Sequence, residues 1–174
     1  RRELLAKASA AAHVLLRRGV GRGDRYVLAL DNGLEFACWF WAGQLIGAIA
    51  APVPPVSGGR RQSFEARRIA RIVSAAQAKL VLSAAAGAPA LAEALGGGAA
   101  LLAAEAPLDR ESSIAPDTEL SASDLALLQF SSGSTSDPKG CALHHGAVYA
   151  NAMAAADRFD GRPGDTFFNW LPQF

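Results

Sequence analysis

The sequence is poor in cysteine, with only Cys38 and Cys141 in 174 residues. Two cysteines are too few for the disulfide framework of a small secreted protein, and no targeting segment is visible, so we expect a cytoplasmic location. The chain also lacks a charge excess, with a net charge of +1, and its aromatic content of 7% includes no base-stacking pattern. We therefore predict that nucleic acid is not a partner.

The sequence also gives little reason to expect a metal site. Cys141 lies close to His144 and His145, and residues of these types can bind zinc. The simpler interpretation is that Cys141 is a buried strand residue and that the two histidines cap the start of a helix. No metal ligands are therefore predicted within the chain.

Two common nucleotide-binding motifs are missing. A Walker loop needs glycine and lysine adjacent and followed directly by serine or threonine, whereas Lys139 stands between Pro138 and Gly140. A dinucleotide fingerprint needs the spacing G-x-G-x-x-G after a strand. Neither the glycines at positions 19, 21 and 23 nor those at 96–98 supply that spacing, so both motifs are disfavoured.

The stretch from Phe36 to Val53 carries no charged residue and has about the ~18 residues at which a membrane span is considered. Two glycines, a glutamine and Pro52 interrupt it. We expect instead a buried helix followed by a buried strand that ends at the two prolines 54 and 55, and no membrane span.

What the sequence does contain is an alternation of helical and strand periodicity, which predicts an α/β fold with a layered sheet and helices. The arginines of a predicted helix at 60–78 are expected on a solvated face, with an acidic carrier protein or a phosphopantetheine phosphate as the alternative contact. A surface connection is expected at 104–123. A further helix is predicted to end at Gly19, with an apolar stripe formed by Leu4, Leu5, Ala8, Ala12 and Leu15. Two more helices are predicted at 88–95 and 147–159. Further strands are predicted at 26–30, 80–82, 99–103, 142–143 and 166–171.

The most distinctive segment is 127–140, LLQFSSGSTSDPKG, where an apolar strand leads into a loop of hydroxyl groups. Gly133 allows a close backbone approach and Lys139 adds a cation, so the segment predicts a phosphate-binding loop. An ordinary exposed turn is the alternative, but a turn does not require this many hydroxyl groups together with a lysine. The hydroxyl residues are Ser131, Ser132, Ser134, Thr135 and Ser136.

This loop resembles the signature loop of the adenylate-forming superfamily, which includes acyl-CoA synthetases, fatty acyl-AMP ligases, peptide-synthetase adenylation domains and luciferases. The family loop reads Ser/Thr, Ser, Gly, Ser/Thr, Thr, Gly, any residue, Pro, Lys, Gly. The chain departs from it by placing Ser136 where the second glycine is usual. His145 falls where the family commonly carries a histidine, and Asn-Trp-Leu-Pro at 169–172 resembles the start of a second family motif.

The resemblance implies that residues 1–174 are the N-terminal part of the large domain of an enzyme that activates a carboxylic acid. Such an enzyme uses ATP, forms an acyl-adenylate, releases pyrophosphate and transfers the acyl group to a carrier protein or CoA. Gln129, Phe130 and the 169–172 segment are most similar to fatty acyl-AMP ligases and to loading domains of polyketide biosynthesis, so a fatty acid is the expected substrate. The alternatives are an amino-acid adenylation domain and a noncatalytic binding module.

The resemblance also implies roles for particular residues. Lys139 is expected to be catalytic, because a cation can neutralise the charge that builds on the departing diphosphate. In the family the adenine and ribose contacts, the Mg²⁺ ligand and the lid lysine lie further along the chain. Residues 1–174 alone are therefore expected to be inactive. The expected nucleotide-binding residues are Ser131, Ser132, Gly133, Ser134, Thr135, Ser136, Lys139 and Gly140, and those near the acid are His145, Trp170 and Pro172.

Overall fold

A computed structural model describes residues 2–57, 59–104, 119–131, 138–162 and 164–166. In these ranges the chain forms helices α1 (Arg2–Arg17), α2 (Leu34–Leu45), α3 (Gln62–Ala76), α4 (Ala88–Leu95) and α5 (His145–Arg158), with a 3-10 turn at Ala85–Gly87 before α4. The strands are β1 (Arg25–Ala29), β2 (Ile49–Pro52), β3 (Leu80–Ser83), β4 (Ala100–Ala103), β5 (Leu125–Ser131) and β6 (Lys139–His144).

The six strands form one sheet in the order β4-β3-β1-β2-β5-β6. The first five run parallel, and β6 runs antiparallel to β5. Helices connect β1 to β2, β2 to β3 and β3 to β4, as parallel neighbours require. The α/β fold predicted from the sequence is therefore confirmed.

Both faces of the central strands are buried, because their alternate residues enter different cores. Tyr26 and Leu28 of β1 pack with α1 and α2 on one face. Val27 and Ala29 pack with α3 and α4 on the other. This burial between two helical layers explains why the central strands read as continuous apolar runs.

The uncharged stretch that starts at Phe36 forms α2 and β2, as predicted, but α2 is buried on one side only, since Trp41 is 51% exposed. Phe36 and Trp39 of α2 are buried against the sheet, and the indole Nε1 of Trp39 donates a hydrogen bond to the carbonyl of Ala104 at 3.3 Å. No helix in the described part of the chain has both the length and the apolar character needed to cross a membrane.

Helix α2 lies against a buried tyrosine. The hydroxyl of Tyr26 donates to the carbonyl of Trp39 at 2.9 Å, and the amide of Gly43 also bonds to this hydroxyl. Full burial raises the pKa of Tyr26, so this group stays a neutral donor. A side chain at position 43 would overlap the Tyr26 ring, with its Cβ 2.7 Å from Cε1, so only glycine fits there.

Several predicted element positions are confirmed by the structure. The helix at 88–95 has the predicted bounds, and the strands near 26, 80 and 99 shift by one residue at most at either end. Ile69, Ile72 and Val73 form the buried face of α3, whereas Arg67 and Arg71 are exposed. The strand expected at 166–171 and most of the connection at 104–123 lie outside the described residues.

Other details differ from the predictions. Leu5 is 55% exposed, whereas Ala8, Ala12 and Leu15 are buried as predicted, together with residues 9–11. Strand β6 is longer than the predicted 142–143, and Cys141 within it is exposed rather than buried, because only β5 pairs with β6 among the described residues. His144 occupies the cap position of α5, but its side chain makes no capping hydrogen bond.

We predict that Gly43→Ala lowers the free energy of unfolding of the chain by about 2 kcal/mol, since overpacking a filled core typically costs that much. Urea denaturation followed by circular dichroism measures the difference. Gly21→Ala is the matched control, because a Cβ at that position would meet nothing closer than 3.9 Å. Equal stability of the two variants would contradict the prediction.

Candidate functional site

The candidate site lies at a β-hairpin formed by β5 and β6. Ser131, the last residue of β5, is paired with Lys139, the first residue of β6, and Phe130 is paired with Gly140. The two strands therefore bring both ends of the hydroxyl-rich segment side by side. Ser132, Gly133, Ser134, Thr135 and Ser136 lie outside the described residues.

The position of this hairpin in the sheet is typical of a ligand site. Because β5 is parallel to β2, the chain leaves β5 at the same edge as it leaves β1 and β2. Helix α2 after β1 covers one face of the sheet, whereas helix α3 after β2 covers the other. Open α/β sheets bind ligands at such a reversal, outside the carboxyl ends of the strands. The hairpin emerges from the strand next to this reversal.

Lys139 lies at the loop end of the hairpin and is exposed. Within the described part of the chain, no ion pair involves its ammonium group. A strand residue at this position is held by its backbone pairing with Ser131 while its side chain remains accessible. Lys139 is thus suited to contact an anionic ligand at this edge of the sheet.

Gly140 has a packing function that sequence reasoning missed. A Cβ at this position would lie 2.9 Å from Cζ and 3.0 Å from Cε1 of Phe130, so the phenyl ring occupies the space beside the glycine. Phe130 and Leu128 in turn pack on the core beneath α3 and α4. The pattern of an aromatic residue and a glycine on facing strands was present in the sequence, but their pairing depends on the hairpin register.

The structure does not bring His145 close to Lys139. His145 begins α5 after the far end of β6, and β6 alone places roughly 17 Å between its two ends. His145 instead lines a shallow depression of about 270 Å³ with Leu120 and Tyr149. Its expected position near the acid stays a prediction, and Trp170 and Pro172 lie outside the described residues.

A polar turn holds the start of β5, and sequence reasoning did not identify it. The carboxylate of Asp124 accepts a hydrogen bond from the amide of Ser121 at 2.8 Å, and Arg22 contacts the same carboxylate at 3.3 Å. The Ser121 amide is the largest cause that lowers the pKa of Asp124, and Arg22 adds to it. The carbonyl of Asp124 accepts from the amide of His145, which starts α5. A serine three residues before an acid was the available signal.

The described residues offer no group of three or more histidine, cysteine, aspartate or glutamate side chains that could hold a metal ion. The Mg²⁺ ligand was expected further along the chain, so no step is assigned to a metal here.

Comparison with known proteins identifies the family. The family model described as AMP-binding enzyme matches residues 1–174. The chain belongs to the AMP-binding enzyme family. This membership confirms the adenylate-forming superfamily predicted from the loop.

Two relatives of the chain are ligases that act on different acids. A long-chain-fatty-acid–CoA ligase, FadD13 of Mycobacterium tuberculosis, is 29% identical over 99% of this chain and 35% of its own length. An L-proline–[L-prolyl-carrier protein] ligase of Pseudomonas fluorescens is 30% identical over 91% of this chain and 32% of its own length. The chain thus spans about a third of the length of these relatives.

A solved structure supports the same assignment. The fatty acyl-adenylate ligase of L. pneumophila, crystallised with acyl adenylate and pyrophosphate, matches 98% of this chain and 29% of its own, with a TM-score of 0.84 and 30% identity. The fold of this AMP-binding chain is therefore that of the corresponding part of an adenylate-forming ligase.

We predict that Gly140→Ala displaces the Phe130 ring and lowers the free energy of unfolding by about 1 kcal/mol, the low end of overpacking costs, because the ring is only partly buried. Phe130→Leu in the same chain should recover at least half of this loss, because the smaller side chain leaves room for the added methyl group. Thermal and urea denaturation of the single and double variants measure the coupling.

Cys141→Ala is the control for this pair, since Cys141 is exposed in the same strand. Additive effects of Gly140→Ala and Phe130→Leu would show that the ring does not fill the space beside the glycine.

Proposed function

We propose that the chain is part of an enzyme that activates a fatty acid with ATP, forming an acyl-adenylate and releasing pyrophosphate. The observation that carries this proposal is the hairpin register, which puts Lys139 opposite Ser131 at the carboxyl edge of a parallel sheet. The membership of the AMP-binding family and the similarity to a ligase crystallised with acyl adenylate and pyrophosphate support it.

The reaction explains why such a hairpin is useful. A carboxylate oxygen of the acid attacks the α-phosphorus of ATP, the bond between that phosphorus and the bridging oxygen breaks, and pyrophosphate leaves with its electron pair. Negative charge increases on the leaving group. Lys139, with the hydroxyl and amide groups of residues 131–136, would bind the β and γ phosphates and stabilise that charge. Gly140 is assigned to the same group of nucleotide-binding residues.

The proposed acid is a fatty acid, and the acceptor of the acyl group is a carrier protein or CoA. FadD13 is a long-chain-fatty-acid–CoA ligase, and the L. pneumophila ligase forms a fatty acyl adenylate. The Pseudomonas relative, an L-proline ligase, favours amino-acid activation as the second candidate. Mg²⁺ as a cofactor, a role in polyketide biosynthesis and the cytoplasmic location stay predictions.

We also propose that residues 1–174 are a part of the AMP-binding domain and require the remaining domain for activity. Helix α5 is the structural observation that supports this. It has no buried residue, and from Gly146 to Ala156 it carries no charged side chain. Val148, Tyr149 and Met153 are between 39% and 68% exposed. A helix that is apolar around most of its circumference is normally covered by other protein, and relatives about three times as long have the chain to cover it.

We predict that Lys139→Ala in the complete enzyme lowers the rate of fatty-acid-dependent ATP–pyrophosphate exchange at least 100-fold, as loss of one donor to a developing charge does elsewhere. The free energy of unfolding of the variant should stay within about 0.5 kcal/mol of that of the parent, because the Lys139 side chain is exposed.

Lys7→Ala is the matched control, because Lys7 is in α1 and pairs only locally with Glu3 at 3.0 Å. Undiminished exchange in the Lys139 variant would remove this lysine from the mechanism. Exchange supported by L-amino acids but not by fatty acids would replace the proposed substrate by the second candidate.

We predict opposite effects of Met153→Glu in the two contexts. In the 174-residue chain the new charge should raise solubility and reduce binding of an apolar dye, because it interrupts an exposed apolar surface. In the complete enzyme it should lower stability by more than about 2 kcal/mol, because a charge would be buried without a partner. Phe64→Glu, at a 63% exposed position of α3, is the control and should be tolerated in both. Tolerance of Met153→Glu in the complete enzyme would show that α5 is not covered.

A further inference from the structure

Strand β5 leads into the proposed nucleotide loop, and its regular ladder with its parallel neighbour is short. Among the described residues, β2 and β5 share one registered pair, Ala50 with Leu127. By contrast, β1 has four registered pairs with β2 and four with β3. A side-chain contact at the start of β5 therefore adds to the few ladder bonds that set its position against β2.

Strand β5 also contains an irregularity near its start. Leu125 pairs with His144 and Leu127 pairs with Leu143, so the register shifts between them and Ala126 is the extra residue of a β-bulge. Ala126 is only 3% exposed. The pairing of Ala50 with Leu127 turns the amide of Ala50 toward the Ala126 carbonyl, so a side-chain donor adds a second hydrogen bond to this carbonyl.

Gln44 of α2 supplies this side-chain donor. Its Nε2 donates to the carbonyl of Ala126 at 3.0 Å. Gln44 is the one amide side chain of α2, a helix that is otherwise apolar after Glu35. A partly buried glutamine in such a helix indicates a specific partner rather than contact with solvent.

The end of α2 that carries Gln44 is itself held in place. Gly43 packs on Tyr26 of β1, as described above, and its carbonyl accepts hydrogen bonds from the amides of Ile46 at 3.2 Å and Ala48 at 2.9 Å. The Gln44 side chain therefore projects from a fixed backbone. It connects the central strand β1, through α2, to the bulge in β5.

We propose that Gln44 is a positioning residue for the acid-activating reaction, because its amide fixes the bulge at Ala126 and thereby the register of β5. This inference rests on the proposed function. If the bulge moved by one residue, the side chains of 127–131 would change face and the base of the loop would move by about 3.3 Å. Ser131 and its partner Lys139 would then no longer hold the loop at the place where the phosphates bind.

The decisive variants are Gln44→Leu, which removes the donor at nearly constant volume, and Gln44→Glu, which donates only when it is protonated. Gln62→Leu is the matched control, because Gln62 also donates to a backbone carbonyl, that of Ala86 at 3.3 Å, through an exposed hydrogen bond that involves neither α2 nor β5. All three variants are made both in the 174-residue chain and in the complete enzyme.

In the 174-residue chain, amide hydrogen exchange reports on the register without any activity. We expect Gln44→Leu to speed exchange of residues 127–131 and 139–143 at least 10-fold, while Gln62→Leu leaves them within 2-fold of the parent. Unchanged exchange of both strands in Gln44→Leu would overturn the proposal, whether or not the enzyme activates fatty acids.

In the complete enzyme, ATP–pyrophosphate exchange separates positioning from general destabilisation. We expect Gln44→Leu to raise the KM for ATP about 10-fold and to leave the KM for the acid within 2-fold. Gln44→Glu carries a carboxylate that cannot donate at neutral pH, so it should raise the KM for ATP at least as much as Gln44→Leu does.

An equal rise in both KM values, or a parent-like KM for ATP in Gln44→Glu, would overturn the positioning role while leaving the proposed function intact. An active parent with parent-like Gln44→Leu kinetics would do the same. Absence of exchange in the parent itself would refute the proposed function, and the hydrogen-exchange result would still decide the register.

Discussion

The fold depends on the burial of β1 on both of its faces. β1 pairs with β2 and β3, and its alternate side chains enter the two cores that α1 and α2 on one side and α3 and α4 on the other complete. All-parallel sheets occur almost only where both faces are covered. This requirement fixes the crossover helices, and the crossovers place the reversal of direction next to the strand that carries the hydroxyl-rich hairpin. The location of the candidate site is thus a consequence of core packing.

The two ends of the hairpin are stabilised in different ways. At the start of β5, Asp124 and Arg22 form an exposed polar cluster, which water and salt screen. Gln44 and Ala126 form a partly buried hydrogen bond, which is less exposed to such competition. At the other end, Phe130 packs beside Gly140. The hairpin is therefore attached to the rigid part of the fold on both sides of the loop, which suits a binding segment that must be accessible and still be positioned accurately.

Most helices and strands could be predicted from the sequence because local periodicity reflects burial. Ile69, Ile72 and Val73 recur at helical spacing since they face one core. The exposure of Cys141 could not be predicted, because it depends on which strands flank β6. The roles of Gly43, Gly140 and Gln44 also depend on contacts between elements far apart in the sequence. The phosphate-binding character of the loop could be predicted because its hydroxyl groups and lysine are adjacent in the sequence. The contacts that hold the hairpin in place join distant parts of the chain and could not be predicted.

The polar residues of apolar elements are therefore the positions where sequence reasoning gains most from a structure. Gln44 read as an interruption of an apolar stretch, and only the bulge at Ala126 gives it a partner. A partly buried glutamine side chain costs free energy unless its amide group forms a hydrogen bond. The amide of Gln44 donates to the Ala126 carbonyl, which is a requirement that leucine cannot meet. That requirement is the register of the strand that ends at Ser131, so the residue is best understood through the loop it positions rather than through the helix that carries it.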